Sequence, residues 1–316
     1  MKKKAICLLV SLCFCVALLY VVEFCLTTRG LPFNGYRDSV RYTWGHEVRE
    51  NALGFRGEEI QINTPGRIRI AVLGDSFTWG AGVAEEDRYP EVAQRLLEEE
   101  YYVMNLGISG WSTCAEAKYL EKAYKVLKPD IVVIGFCYND PQTNSTRWSI
   151  ERERYDSTHS GKVFKRLNMI GLPEISKRLE NINYRRHGVP DWQTALDRAY
   201  DFDSVFWEKF VLSLHKIRGL CNHPPIFMVL NNGSGEQITD YKSPNEQLRL
   251  QLMWWHQAEA AATAAGFYTV NFENVLRSLT PFDMRVNAKD NHPNRDLHLI
   301  YGAILCNTIT SHYSQQ

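Results

Sequence analysis

Ser76 stands in the run Gly74-Asp75-Ser76-Phe77-Thr78, directly after Ile70-Ala71-Val72-Leu73. The apolar run reads as a buried strand, and the glycine marks its end. A serine at the turn from strand into helix is lifted out of the sheet, where its hydroxyl can act as a nucleophile. Far downstream, Asp290 and His292 stand in Asp290-Asn291-His292-Pro293-Asn294, just before a helical C-terminus. A hydroxyl is a poor nucleophile until a base takes its proton. His292 is the candidate base. Asp290 is the candidate carboxylate that fixes the imidazole tautomer and stabilises its charged form. Asp75 is expected to order the serine turn through backbone hydrogen bonds. Each motif also has an ordinary reading: Gly-Asp-Ser is a common turn, and Asn294 suits a helix N-cap.

Such residues need a scaffold that brings them together. From Arg67 the chain alternates strand-like and helix-like segments. Strands are expected at Ile68–Leu73, Tyr102–Leu106, Ile131–Tyr138, Pro225–Leu230 and Phe267–Asn271. Helices are expected at Glu91–Glu100, Ala115–Leu127, Ser204–Arg218, Asn245–Ala265 and from Arg295 onward. Gly219 and Gly266 suit the ends of two of them. This alternation implies a mostly parallel sheet covered on both faces, a three-layer α/β/α sandwich. Ligands bind such sheets beyond the carboxyl ends of the strands. Ser76 follows the first strand there, Gly107 the second and Asn139 the third. Residues 28–65 show little periodicity and read as a stalk. Residues 66–316 read as the catalytic domain, interrupted at about 141–201 by a polar insertion.

Four blocks in this order resemble the SGNH hydrolases, the GDSL-type esterase superfamily. Gly74-Asp75-Ser76-Phe77-Thr78 matches the first block, with Phe77 where the named pattern has Leu. Gly107, in Asn105-Leu106-Gly107-Ile108-Ser109-Gly110, is matched to the second. Asn139-Asp140 matches the third, with Gly135 displaced from the family's Gly-x-Asn-Asp. Asp290 and His292 match the fourth, with one residue between them where many members have two. The resemblance covers about residues 66 to 312. It implies an acyl-enzyme on Ser76, with His292 and Asp290 completing a triad. It also implies an oxyanion hole made by the backbone N–H groups of Ser76 and Gly107 and the side-chain amide of Asn139. No cofactor and no metal are expected.

Two phosphate-binding readings fail on spacing. A P-loop needs one residue fewer than separates Gly74 from Gly80, and Ala81 stands where its Lys belongs. A dinucleotide fingerprint built on Gly80 and Gly82 meets Glu85 where its third Gly should be. The 36 basic residues balance the 36 acidic ones, so nothing in the charge points to nucleic acid. His298 and His312 form no evident metal pair with His292. Trp79 and Trp111 follow the first two blocks and suit either pocket or core. Arg185-Arg186-His187 reads as a solvated basic surface.

The N-terminus sets three lysines before the uncharged stretch Ala5–Val22, with Glu23 close to its outer end. About 20 apolar residues cross a bilayer. Lysines before the span and a long body after it favour a cytoplasmic N-terminus and an exported domain. Residues 1–27 are therefore expected to be an uncleaved signal anchor. The scattered cysteines are expected to be buried free thiols. The chain thus reads as a membrane-tethered, exported serine esterase. Its expected partner is an acylated small molecule or glycan, with O-acetyl on an envelope carbohydrate the first choice. An O-acyltransferase or a non-catalytic glycan-binding protein with the same fold is the alternative.

Overall fold

The computed structural model describes residues 2–26, 32, 34–142, 166–167, 170–186, 192–230, 244–272, 284–287 and 290–313. The helices are α1 (Lys2–Leu26), α2 (Ser76–Trp79), α3 (Tyr89–Leu96), α4 (Thr113–Leu127), α5 (Pro173–Arg186), α6 (Trp192–Ala199), α7 (Val205–Leu220), α8 (Pro244–Ala264) and α9 (Arg295–Tyr313). The strands are β1 (Gly35–Arg37), β2 (Val40–Thr43), β3 (His46–Val48), β4 (Ile68–Gly74), β5 (Tyr101–Gly107), β6 (Ile131–Phe136), β7 (Ile226–Val229), β8 (Tyr268–Asn271), β9 (Arg285–Asn287) and β10 (Asp290–Pro293). The chain divides into two compact units, Met1–Leu31 with Ser145–Ala195 and Pro32–Asn144 with Leu196–Gln316.

The second unit holds a five-stranded, all-parallel sheet in the order β5-β4-β6-β7-β8. Its inner strands β6 and β7 are apolar runs because both faces are covered. Alternation along β4 shows how. Ile70 and Val72 pack with Tyr89 and Ala93 of α3 and with Leu297, Tyr301 and Leu305 of α9. Ala71 and Leu73 pack on the opposite face with Leu120 of α4, Phe210 and Leu214 of α7, and Trp255 and Ala258 of α8. The result is the expected three-layer α/β/α sandwich. Asn294 caps α9 as expected, its side chain accepting the Leu297 N–H at 3.1 Å. Gly266 ends α8 in the left-handed region, at φ +87°. Gly219 lies inside α7 rather than after it, because the helix runs on to Leu220 and its C-cap is Cys221.

Two small antiparallel sheets are additions to the sequence reading. β1-β2-β3 form a meander within the stretch read as a stalk, so the folded unit begins near Pro32 rather than at residue 66. β9 and β10 form a hairpin that carries Asp290 and His292. Neither shows a clear alternation of apolar and polar residues, because their strands are short and half-exposed. Residues 143–165, 168–169 and 187–191 of the 141–201 insertion, Trp148 and His187 included, lie outside the described residues.

In the first unit, Tyr20 of α1 donates its hydroxyl to the Ile170 carbonyl at 2.7 Å. The buried Glu23 carboxylate accepts the Ile175 N–H of α5 at 2.9 Å. Within α1, side chains are described only between Val10 and Phe24, and among the described residues no helix is long and apolar enough to cross a membrane. The described part of α1 exposes Val10, Phe14, Leu18, Leu19, Val22 and Phe24. The six cysteines described, Cys13, Cys15, Cys114, Cys137, Cys221 and Cys306, are free thiols, and of these Cys137 is the buried one.

Candidate active site

β4, β5 and β6 end level with one another, Gly74 opposite both Gly107 and Gly135. α2 starts immediately beyond and lies down on these ends. A Cβ on Gly74 would fall 2.0 Å from Thr78 Oγ1, and one on Gly135 2.4 Å from the same atom. A Cβ on Gly107 would fall 2.5 Å from the Trp79 nitrogen and 2.7 Å from the Thr78 carbonyl carbon. Three strand ends without side chains therefore make the bed in which the serine helix sits. Thr78 Oγ1 and the buried Tyr89 hydroxyl, 2.9 Å apart, hold it there. Gly80, at φ +81°, ends the helix. The buried Arg56 guanidinium donates to the carbonyls of Trp79, Gly80 and Val83, at 3.4, 2.5 and 2.8 Å. Burial, followed by the charge of Arg88, lowers its pKa to about 10.

Asp75 is the N-cap of α2. Its Oδ1 accepts the Phe77 N–H at 2.9 Å, the ordering role expected from the sequence. Its side chain also hydrogen-bonds Asn139, and burial raises its pKa. Ser76 Oγ lies 2.8 Å from His292 Nε2 and 3.3 Å from Asp75 Oδ2. His292 Nδ1 meets Asp290 Oδ1, which also accepts the His292 backbone N–H at 3.0 Å. With Nδ1 protonated toward the carboxylate, Nε2 is an acceptor. The one Ser76 proton then goes to the nearer His292. Phe77 packs beside the imidazole, with ring centroids 5.4 Å apart.

One residue between Asp290 and His292 suffices in this irregular strand, because the Asp290 carboxylate reaches both the backbone N–H and the ring of His292 two residues on. Asp290 is pushed up by burial, but hydrogen bonds and charge from His292, together with the Trp44 indole, hold it down to about 2.

Asn139 lies just beyond β6 in a tight turn. Asp140 Oδ2 accepts the Cys137 N–H at 3.1 Å, and the Tyr200 hydroxyl donates to the Tyr138 carbonyl at 2.8 Å. Ser76, Asp75 and Asn139 are thereby brought to one place. Gly107 is not presented to substrate as expected. Its N–H donates to Asn105 Oδ1 at 3.0 Å, and its open face is filled by α2. The exposed part of that loop is Ser109-Gly110, with Gly110 at φ +82°.

One residue near the triad went unread in the sequence. Trp44, at the tip of the β2–β3 hairpin, donates its indole N–H to Asp290 Oδ2 at 2.5 Å. Trp44-Gly45 between Val40–Thr43 and His46–Val48 is a hairpin signal of the x-Gly kind. Trp79 is core, buried beneath the guanidinium groups of Arg41 and Arg56. Trp111 is half-buried against Phe55 and Tyr119. His298 is fully buried; its Nδ1 accepts the Tyr89 N–H, and burial lowers its pKa to about 3. A cavity of about 450 Å³ lined by Arg49, Arg56, Glu85, Glu91 and Asn105 lies beside β5 and includes no triad residue.

A parallel sheet with a serine, a histidine and a carboxylate in series at its carboxyl edge is an arrangement suited to ester hydrolysis. Residues 72–300 match the GDSL-like Lipase/Acylhydrolase family; the chain belongs to that family and is a carboxylic ester hydrolase. No curated protein matches it. Among solved structures it is similar to TesA, at 14% identity and a TM-score of 0.45, over 77% of this chain and 98% of that one. It is similar to the psychrotrophic esterase EstA from Pseudoalteromonas sp., at 13% identity and a TM-score of 0.44, over 77% and 97%. It is also similar to the acetylxylan esterase Axe2 from Geobacillus stearothermophilus, at 16% identity and a TM-score of 0.43, over 79% and 96%.

Proposed function

We propose that the protein removes a small acyl group, acetyl foremost, from an oxygen ester on a cell-envelope carbohydrate, by way of an acyl-enzyme on Ser76. The observation that carries this reading is the 2.8 Å contact between Ser76 Oγ and His292 Nε2, with Asp290 behind the imidazole. His292 takes the serine proton as Oγ attacks the ester carbonyl and returns it to the leaving alcohol. Asp290 keeps Nδ1 protonated and stabilises the imidazolium. A water deprotonated by the same imidazole then releases the acid. The oxyanion donors are the Ser76 N–H at the start of α2 and the Asn139 amide, joined by the open backbone of Ser109-Gly110 in place of Gly107. The His292 side chain is 29% exposed, so water can reach the imidazole.

The envelope setting rests on the N-terminal stretch. The uncharged apolar run Ala5–Val22 suits a bilayer span, and the three lysines before it suit a cytoplasmic start. The test is acetate release from an O-acetylated polysaccharide by the full-length protein, beside Ser76→Ala. Equal release by the two proteins would defeat the reading.

A further inference from the structure

Trp44 and Gly45 are the two residues that join β2 to β3, and both have positive φ, +47° and +92°. This is the two-residue turn whose twist matches a hairpin, and it favours Asn-Gly. A bulky aromatic is poorly suited to the first of these positions. The neighbouring β1–β2 turn meets the same demand with Asp38 and Ser39, at φ +50° and +68°. The register Thr43↔His46 closes the turn whatever side chain stands at its tip. Hairpin formation therefore gives no reason for a tryptophan there.

The reason lies 246 residues away, where the Trp44 indole reaches Asp290 Oδ2. Asp290 Oδ1 already receives two groups of His292, its backbone N–H and its ring. A carboxylate turns easily about its last bond. With one oxygen bound to His292 and the other to a rigid indole, that rotation is stopped. The hairpin that carries Trp44 is itself tied to the serine loop. Thr43 Oγ1 accepts the Gly82 N–H at 2.7 Å, and Val286 of β9 fills the space a Gly82 side chain would take. One small meander thus fixes both the loop after Ser76 and the carboxylate behind His292.

We propose that Trp44 is a positioning residue of the hydrolase site, holding Asp290 so that Oδ1 faces His292, and that it occupies an unfavourable turn position for that contact. The inference rests on the triad reading above. Trp44→Phe keeps an aromatic ring in the turn and removes the donor. Trp44→Asn removes the ring and installs a residue the turn favours. In the full-length protein with p-nitrophenyl acetate, both variants are expected to lose about ten- to hundredfold in kcat with little change in KM. Trp44→Asn is expected to have a Tm equal to or above that of the wild type while losing that activity. The His292 ring N–H proton signal in NMR is expected to move in both.

A wild-type kcat in both variants would overturn the proposal. So would an unmoved His292 signal in Trp44→Phe, whatever the activity, or a Tm loss in Trp44→Asn that accounts for its lost rate. Failure of a fluorophosphonate to label the wild type at Ser76 would instead count against the triad reading itself, so the two failures are told apart.

Discussion

Three carboxylates stand around the Ser76 turn, and their surroundings separate their roles. Burial raises Asp75 and Asp140, whereas His292 and Trp44 hold Asp290 down to about 2 against the effect of burial. Asp290 is thus the group kept ionised for the imidazole. A carboxylate depressed on folding stabilises the protein above its unfolded pKa, and that stability is lost as pH falls through the folded one. Wild-type stability should therefore decline between about pH 4 and pH 2, by on the order of 1 kcal/mol after screening, and Asp290→Asn should flatten that part of the curve. The same variant should lose about 10⁴-fold in kcat, since the amide favours the wrong tautomer. Acid titration followed by circular dichroism, with esterase assays, checks both. Gly107→Ala should displace α2, destabilise the protein by about 1–3 kcal/mol and reduce activity with it, read by urea denaturation. The position of Gly107 at a strand end was legible in the sequence. Which neighbour fills the space beside its Cα was not, because that depends on how α2 folds back over β5.

Elements differ in how openly the chain declares them. β6 and β7 are buried throughout and β4 is buried and apolar from Ile70 on, so each holds an apolar run that can be recognised without knowing its neighbours. β1–β3 and β9–β10 have three or four residues each and half-exposed faces, so their pattern carries little signal. Yet these short elements bring Trp44, Asp290 and His292 to the serine. α4 holds a second feature that composition hides. Glu116 is fully buried, and its carboxylate oxygens have no hydrogen-bond partner among the described residues. Burial, followed by the charge of Asp75, raises its pKa well above the ordinary value. A carboxyl raised on folding favours the folded state at low pH and weakens it as pH climbs from the unfolded pKa through the folded one. Glu116→Gln should remove that decline, leaving the variant no less stable than wild type near pH 5 and more stable at pH 8. Thermal melts across that range measure the difference; a variant that declines with pH as wild type does would contradict it.

At the scale of the molecule, the sandwich was legible because strands and helices alternate, and alternation leaves a parallel sheet little choice of architecture. The start of the folded unit was not, since the meander between Pro32 and Pro65 is made of short, half-exposed strands whose pattern carries little signal. The proposed anchor makes a separate demand: the full-length protein should remain with membranes after alkaline extraction, and removal of residues 1–27 should release it. The whole scheme nevertheless turns on one atom, Ser76 Oγ. The measurement that bears on it most directly is covalent labelling of the full-length protein by a fluorophosphonate, wild type beside Ser76→Ala and His292→Ala. The expected result is rapid labelling of wild type at Ser76, none in Ser76→Ala, and at least a hundredfold slower labelling in His292→Ala. Well-folded wild type that stays unlabelled, or His292→Ala that labels at the wild-type rate, would contradict it.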